Sequence, residues 1–194
     1  MEKELEDIRA IREMMEKSSK FLSLSGLSGV FAGCTALVGA AVAYFYILHQ
    51  PVDKLVSYVI LDAGITLVLA IGFGILFSAR KAHKKNQKLV NALTLKLIYN
   101  MAIPLLAGGA LSLILIMRGQ IELVASITLL FYGLALVNVS KYTLDEIHYL
   151  GITQIVLGLA AALFLYHGLL FWTIGFGLCH IVYGAFMYKK YDLK

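Results

Sequence analysis

Four polar side chains, Ser28, Asn100, Gln154 and His180, stand within otherwise apolar stretches, and one carboxyl, Asp62, stands within another. A hydroxyl, two amides and an imidazole can hydrogen-bond a small solute, an ion or a lipid headgroup, and the imidazole can carry a proton. Asp62 could hold a cation or a proton, or act as a hydrogen-bond hub for Tyr58, Thr66 or Ser126. Such side chains cost free energy inside a bilayer, so each is a candidate ligand-binding residue. Counted along a helix, Ser28 lies about 9 Å from one end of its apolar stretch, Asn100 about 12 Å, Gln154 about 8 Å and His180 about 12 Å. They share one stratum on four helices. Asp62 lies about 10 Å in from the opposite side. Pro104 leaves the Asn100 carbonyl without its helical donor, as in the broken helices that coordinate substrates in some transporters. The alternative is that a neighbouring side chain satisfies that carbonyl.

Membrane helices must position these groups. Of 194 residues, 60% are hydrophobic and 15% charged, against about 45–50% and about 25% in soluble domains. Mean hydropathy is +0.81. Six stretches, 22–48, 55–79, 92–117, 121–139, 149–166 and 169–188, come close to the roughly 20 apolar residues needed to cross a bilayer. Alternation of period two is absent, which excludes a membrane β-barrel. The expected fold is all-α: a polytopic bundle of six transmembrane helices over 22–188, an N-terminal cytoplasmic amphipathic helix over 1–21, and a cytoplasmic tail over 189–194. No soluble catalytic domain fits between the spans.

Lys and Arg set the orientation. All of them except Lys54 and Arg118 fall in the N-terminal segment, the second loop with the start of span three, the fourth loop and the tail. Both termini are therefore expected in the cytoplasm. Residues 1–20 place Leu5, Ile8, Ile11, Met14 and Met15 on one helical face, with Glu13–Lys17 and Glu16–Lys20 as favourable i, i+4 pairs. This helix lies at the membrane interface or docks a cytosolic or membrane partner. The basic run from Arg80 to Lys88 suits topology and anionic headgroups, not nucleic acid, because no recognition module accompanies it.

No metal centre or cofactor is expected. His180 has no second histidine at its depth for a bis-histidine haem. Cys34, Cys179 and His180 lie at comparable depths but lack metal-ligand spacing, and the two cysteines give no disulfide framework. No catalytic motif is present, so the chain reads as uncertain for enzymatic activity and leans against it. Ser25, Gly29 and Gly33 recur every four residues and form a helix-packing face. Gly151 and Gly158 do so in span five, Gly177 and Gly184 in span six. Gly64-Ile65-Thr66 returns as Gly151-Ile152-Thr153 in an oppositely directed span, but the offset does not extend to spans three and six.

The segments IREMMEKSSKFLSLSGLSGVFAG, from Ile11, and SKYTLDEIHYLG, from Ser140, resemble a group of small bacterial six-span membrane proteins to which no activity is attached. The resemblance implies a bacterial inner-membrane location, multi-pass, and carries over no site. Three functions are then in competition. First comes binding or permeation of a small solute, ion or lipid through the polar layer. Second comes a scaffold or sensor that docks a partner, or another copy of itself, through the N-terminal helix. A redox or lipid-modifying enzyme is third, lacking clear cofactor ligands.

Overall fold

The computed structural model describes residues 24–84 and 90–193. The expected N-terminal helix lies outside these residues, as does most of the second loop. Six helices are long and apolar enough to cross a membrane, and among the described residues there is no strand. Span one is α1, Gly26–Val42, continued by a π-helical turn, Ala43–Ile47. Spans two to five are α2, Val52–Lys84; α3, Ala92–Met117; α4, Val124–Val139; and α5, Asp145–Leu163. Span six starts as α6, Gly168–Trp172, passes through a π-helical segment, Thr173–Cys179, and continues as α7, His180–Met187. A last π turn, Tyr188–Asp192, carries the helix through most of the segment expected as a tail. The 33 residues of α2 make it about 50 Å long, well beyond a hydrocarbon core of about 30 Å, and its last turn is basic.

In space the spans run in the order two, one, six, five, four, three. Spans two and three are consecutive in the chain, yet they sit at the two ends of this row and make no substantial contact. The six residue steps from Lys84 to Val90 reach about 22 Å at most, so the row cannot be straight.

Contacts within the row are set by glycine. A Cβ on Gly33 would lie 2.6 Å from the Gly177 carbonyl oxygen, and one on Gly184 would lie 2.6 Å from the Val30 nitrogen, so α1 and span six meet backbone to backbone. Gly133 and Gly151 do the same between α4 and α5: each would place a Cβ within 3 Å of the other's carbonyl. Close approach of this kind replaces the hydrophobic driving force, which lipid cancels, by van der Waals contact. Gly64, the sequence counterpart of Gly151, has nothing within 4 Å of an added Cβ, so the repeated tripeptides occupy unlike settings. The tight link between spans three and four is a Schellman turn. Gln120 N–H donates to the Leu115 carbonyl and Gly119 N–H to Ile116, with Gly119 at φ +73°.

Pro104 stands inside α3, and the carbonyl of Asn100 accepts a 2.9 Å hydrogen bond from Asn138 Nδ2 on α4. The broken rung is thereby repaired by the neighbouring helix.

Gly184→Val should force α1 and span six apart, at a cost of about 1–3 kcal/mol or more. Gly64→Ala should leave stability unchanged or slightly raised. Thermal unfolding of both variants in one detergent checks this: a clear loss for the first and none for the second.

Candidate functional site

Of the four polar residues expected to share a layer, the fold brings two together. His180 opens α7, directly after the π segment, and is buried. Its Nδ1 lies 3.0 Å from the Gly175 carbonyl and its Nε2 lies 2.8 Å from Tyr132 Oη on α4. A carbonyl can only accept, so Nδ1 carries a proton. In the neutral ring Nε2 then accepts from the tyrosine. Gln154 Nε2 donates to the same Gly175 carbonyl at 2.7 Å. Gln154 is wholly buried, and its Oε1 has no hydrogen-bond partner among the described residues. A Cβ at 175 would come within 2.4 Å of Leu129 Cδ2 and 2.6 Å of Gln154 Oε1, so any larger residue would make both side chains shift. Phe176 closes the cluster, with its ring centroid 5.0 Å from Tyr132 and 4.9 Å from Trp172.

Ser28 and Asn100 do not join this cluster. Ser28 donates its hydroxyl to the Ser25 carbonyl in its own first turn. Asn100 Nδ2 donates to the Lys96 carbonyl, one turn back on α3, at 2.8 Å. Equal depth puts residues in one plane, whereas helix rotation decides which way they face.

The end of the bundle that holds the start of α1 and the end of span six carries an ionic clasp that the sequence reading missed. Asp192 accepts from Ser25 Oγ and from Gly26 N–H, both at 2.9 Å, and pairs with Lys81 at 2.6 Å. Lys81 also donates to the Leu24 carbonyl at 2.7 Å, and both charged side chains are over nine-tenths buried. Lys81 therefore belongs to the interior, although its place in a basic run suggested the lipid surface. Ser25, expected as a packing residue, spends its hydroxyl on Asp192, while Gly29 and Gly33 face span six. Beside this, Lys190 pairs with Glu146 at 2.6 Å, and Tyr191 Oη donates to the same carboxylate at 3.0 Å. One helical turn thus ties the start of α1, the end of α2 and the start of α5 together.

At the opposite end, Asp62 lies about 15 Å along α2. None of the three partners expected for it is realised. Thr66 packs on Gly39, and Ser126 donates to the Gly158 carbonyl at 2.7 Å. Tyr58 shares a groove with Asp62 without a hydrogen bond between them. Among the described residues Asp62 has no ion pair or hydrogen bond. It lines a groove of about 270 Å³ with Tyr58, Leu61 and Ile65 of α2. The other wall is Val42, Tyr46, Ile47 and Gln50, from span one and the link that follows it.

A second hollow, about 320 Å³, is lined by Ser140, Lys141, Asp145, His148 and Tyr149. His148 Nδ1 lies 3.3 Å from Ser140 Oγ, but that hydroxyl donates to the Val137 carbonyl at 2.8 Å. Its proton is not directed at the histidine, so this is not an activated nucleophile. Among the described residues no group of three or more His, Cys, Asp and Glu is placed to hold a metal.

No family model matches the chain, and no curated protein or solved structure matches it. Of the resemblance to small six-span membrane proteins, only the six membrane-length apolar helices are shown.

Asp192→Ala should leave the Lys81 ammonium buried without its counter-charge, at a cost of about 3–5 kcal/mol. Lys81→Met combined with Asp192→Leu should recover much of that loss. Thermal unfolding of the single and double variants gives the comparison.

Proposed function

We propose that this protein binds or passes a small solute, an ion or a lipid within the bilayer. The observation that carries this reading is Asp62: a carboxyl inside an apolar span, facing a groove, with no partner among the described residues. A charged or ionisable group in that position is costly and is retained where it meets a ligand or a translocated ion. The cluster of Gln154, His180 and Tyr132 remains a second polar station in the other half of the bundle. Gln154 Oε1 has no partner among the described residues and is free to accept from a further donor. The resemblance to small bacterial six-span proteins favours an inner membrane, and the distribution of Lys and Arg favours both termini in the cytoplasm, which would turn the Asp62 groove toward the outer half.

A second reading, a scaffold or sensor that docks another membrane protein or a further copy, is favoured by spans two and three. Only 6% of the span-two window and 11% of the span-three window are buried inside the molecule.

Purified protein in detergent, scanned thermally against inorganic ions, small metabolites and lipids, separates the two. A ligand at one hundred times its dissociation constant adds about 2.7 kcal/mol of stability. The binding reading expects a stabilising shift that Asp62→Asn removes. A shift lost instead in Asn100→Leu/His180→Leu would move the site to the other polar station. If nothing shifts the protein, and membrane partners co-purify with it, the scaffold reading replaces it.

A further inference from the structure

The Asp62 groove also carries information about what kind of ligand it would take. Its chemistry has three parts. The first is charge. Among the described residues, Asp62 is the only carboxylate or cation on its walls, and the remaining polar groups are the neutral Tyr46, Tyr58 and Gln50. Lys54, the nearest cation along α2, lies about 12 Å away along the axis and does not line the groove. A ligand that compensates this wall is therefore positive.

The second part is the number of oxygen donors. Calcium takes six to eight oxygen ligands and magnesium demands a near-octahedral shell, usually with more than one carboxylate. One carboxylate, one amide and two phenols, set among Ile47, Leu61 and Ile65, do not build such a shell. Hydrocarbon walls with tyrosine rings and a single negative charge suit a diffuse organic cation, whose charge sits over ring faces while its body replaces lipid.

Backbone geometry is the third part. Span one changes from α to π winding at Ala43–Ile47, the stretch that supplies Tyr46 and Ile47 to the groove. Such π turns re-aim side chains and are frequent at functional sites. Tyr58, Leu61 and Ile65 are each more than 40% exposed, so the groove opens sideways into the bilayer rather than into an aqueous end.

Resting on the binding function above, we propose that the groove between spans one and two is a site for an amphiphilic organic cation, a protonated or quaternary amine. The ligand enters laterally from the membrane, with its charge on Asp62 and its apolar body between Tyr46 and Tyr58.

The test is equilibrium binding of benzyltrimethylammonium to the full chain in a nonionic detergent. Its uncharged carbon isostere, neopentylbenzene, serves as the matched control, and sodium, potassium and calcium are run in parallel. The cation should bind and the isostere should not. Affinity should fall about tenfold or more in Asp62→Asn. It should fall several-fold in Tyr46→Ala or Tyr58→Ala and be largely kept in Asp62→Glu. Unliganded melting and gel-filtration profiles should match the parent, since the Asn variant removes a group with no partner to lose. Equal binding of cation and isostere, or unchanged affinity in Asp62→Asn, overturns the proposal. An Asp62-dependent response to inorganic cations alone overturns the amine class but keeps the binding function. No Asp62-dependent response to any of these probes overturns the proposal and, with it, the placing of the binding site at Asp62.

Discussion

A helix in lipid must satisfy its own polar groups, because no water is present to do so, and the rest of this fold depends on that constraint. Apolar side chains cannot drive these helices together, since lipid solvates them equally well. What holds them is backbone contact through glycine and a small number of hydrogen bonds between spans. Gly33 and Gly184 bring α1 against span six, and Gly133 and Gly151 bring α4 against α5. Once backbones are that close, short polar side chains can reach a neighbour's carbonyl: Ser126 to Gly158, Gln154 to Gly175 and Asn138 to Asn100. The same closeness places Tyr132 on His180.

Against that background the polar groups divide into two kinds. His180, Asn100, Ser28 and Lys81 are bonded within the molecule: His180 and Lys81 tie one span to another, whereas Ser28 and Asn100 bond within their own helices. The clasp at Asp192 is the clearest instance, because a single carboxylate closes the first turn of α1, neutralises Lys81 and fixes the last helical turn of the chain. Asp62 belongs to the other kind. It stands between a span packed on one neighbour and the π turn of the next, and no described residue donates to it. Structural roles account for the first kind, whereas Asp62 calls for something outside the described chain.

The six spans and the class of fold were legible from hydropathy, since about 20 apolar residues have one physical use. The freed carbonyl at Asn100 was legible as well, from Pro104 alone. Its repair by Asn138 was not, because the choice between a ligand and a neighbour depends on helix rotation. Rotation is also why Ser28 and Asn100, at the right depth, face their own turns. Tyr132 escaped notice because an aromatic within an apolar run reads as core, and Gly175 because its role lies in a carbonyl freed for two side chains. Asp192 was hidden in a basic terminus that suggested solvent. For Asp62 the sequence set the depth and the charge, but only the packing of α1 on α2 revealed a groove.

The difference between Asp62 and the satisfied carboxylates can be read directly. Solid-state NMR of the protein in bilayers, with aspartate and glutamate carboxyls labelled with carbon-13, resolves Asp62, Glu146 and Asp192 by comparison with single variants. Titration with benzyltrimethylammonium should move the Asp62 carboxyl resonance and leave Asp192 and Glu146 in place, since those two are already paired. A static Asp62 signal, or a response confined to Asp192 and Glu146, would contradict the assignment of the groove as the open site.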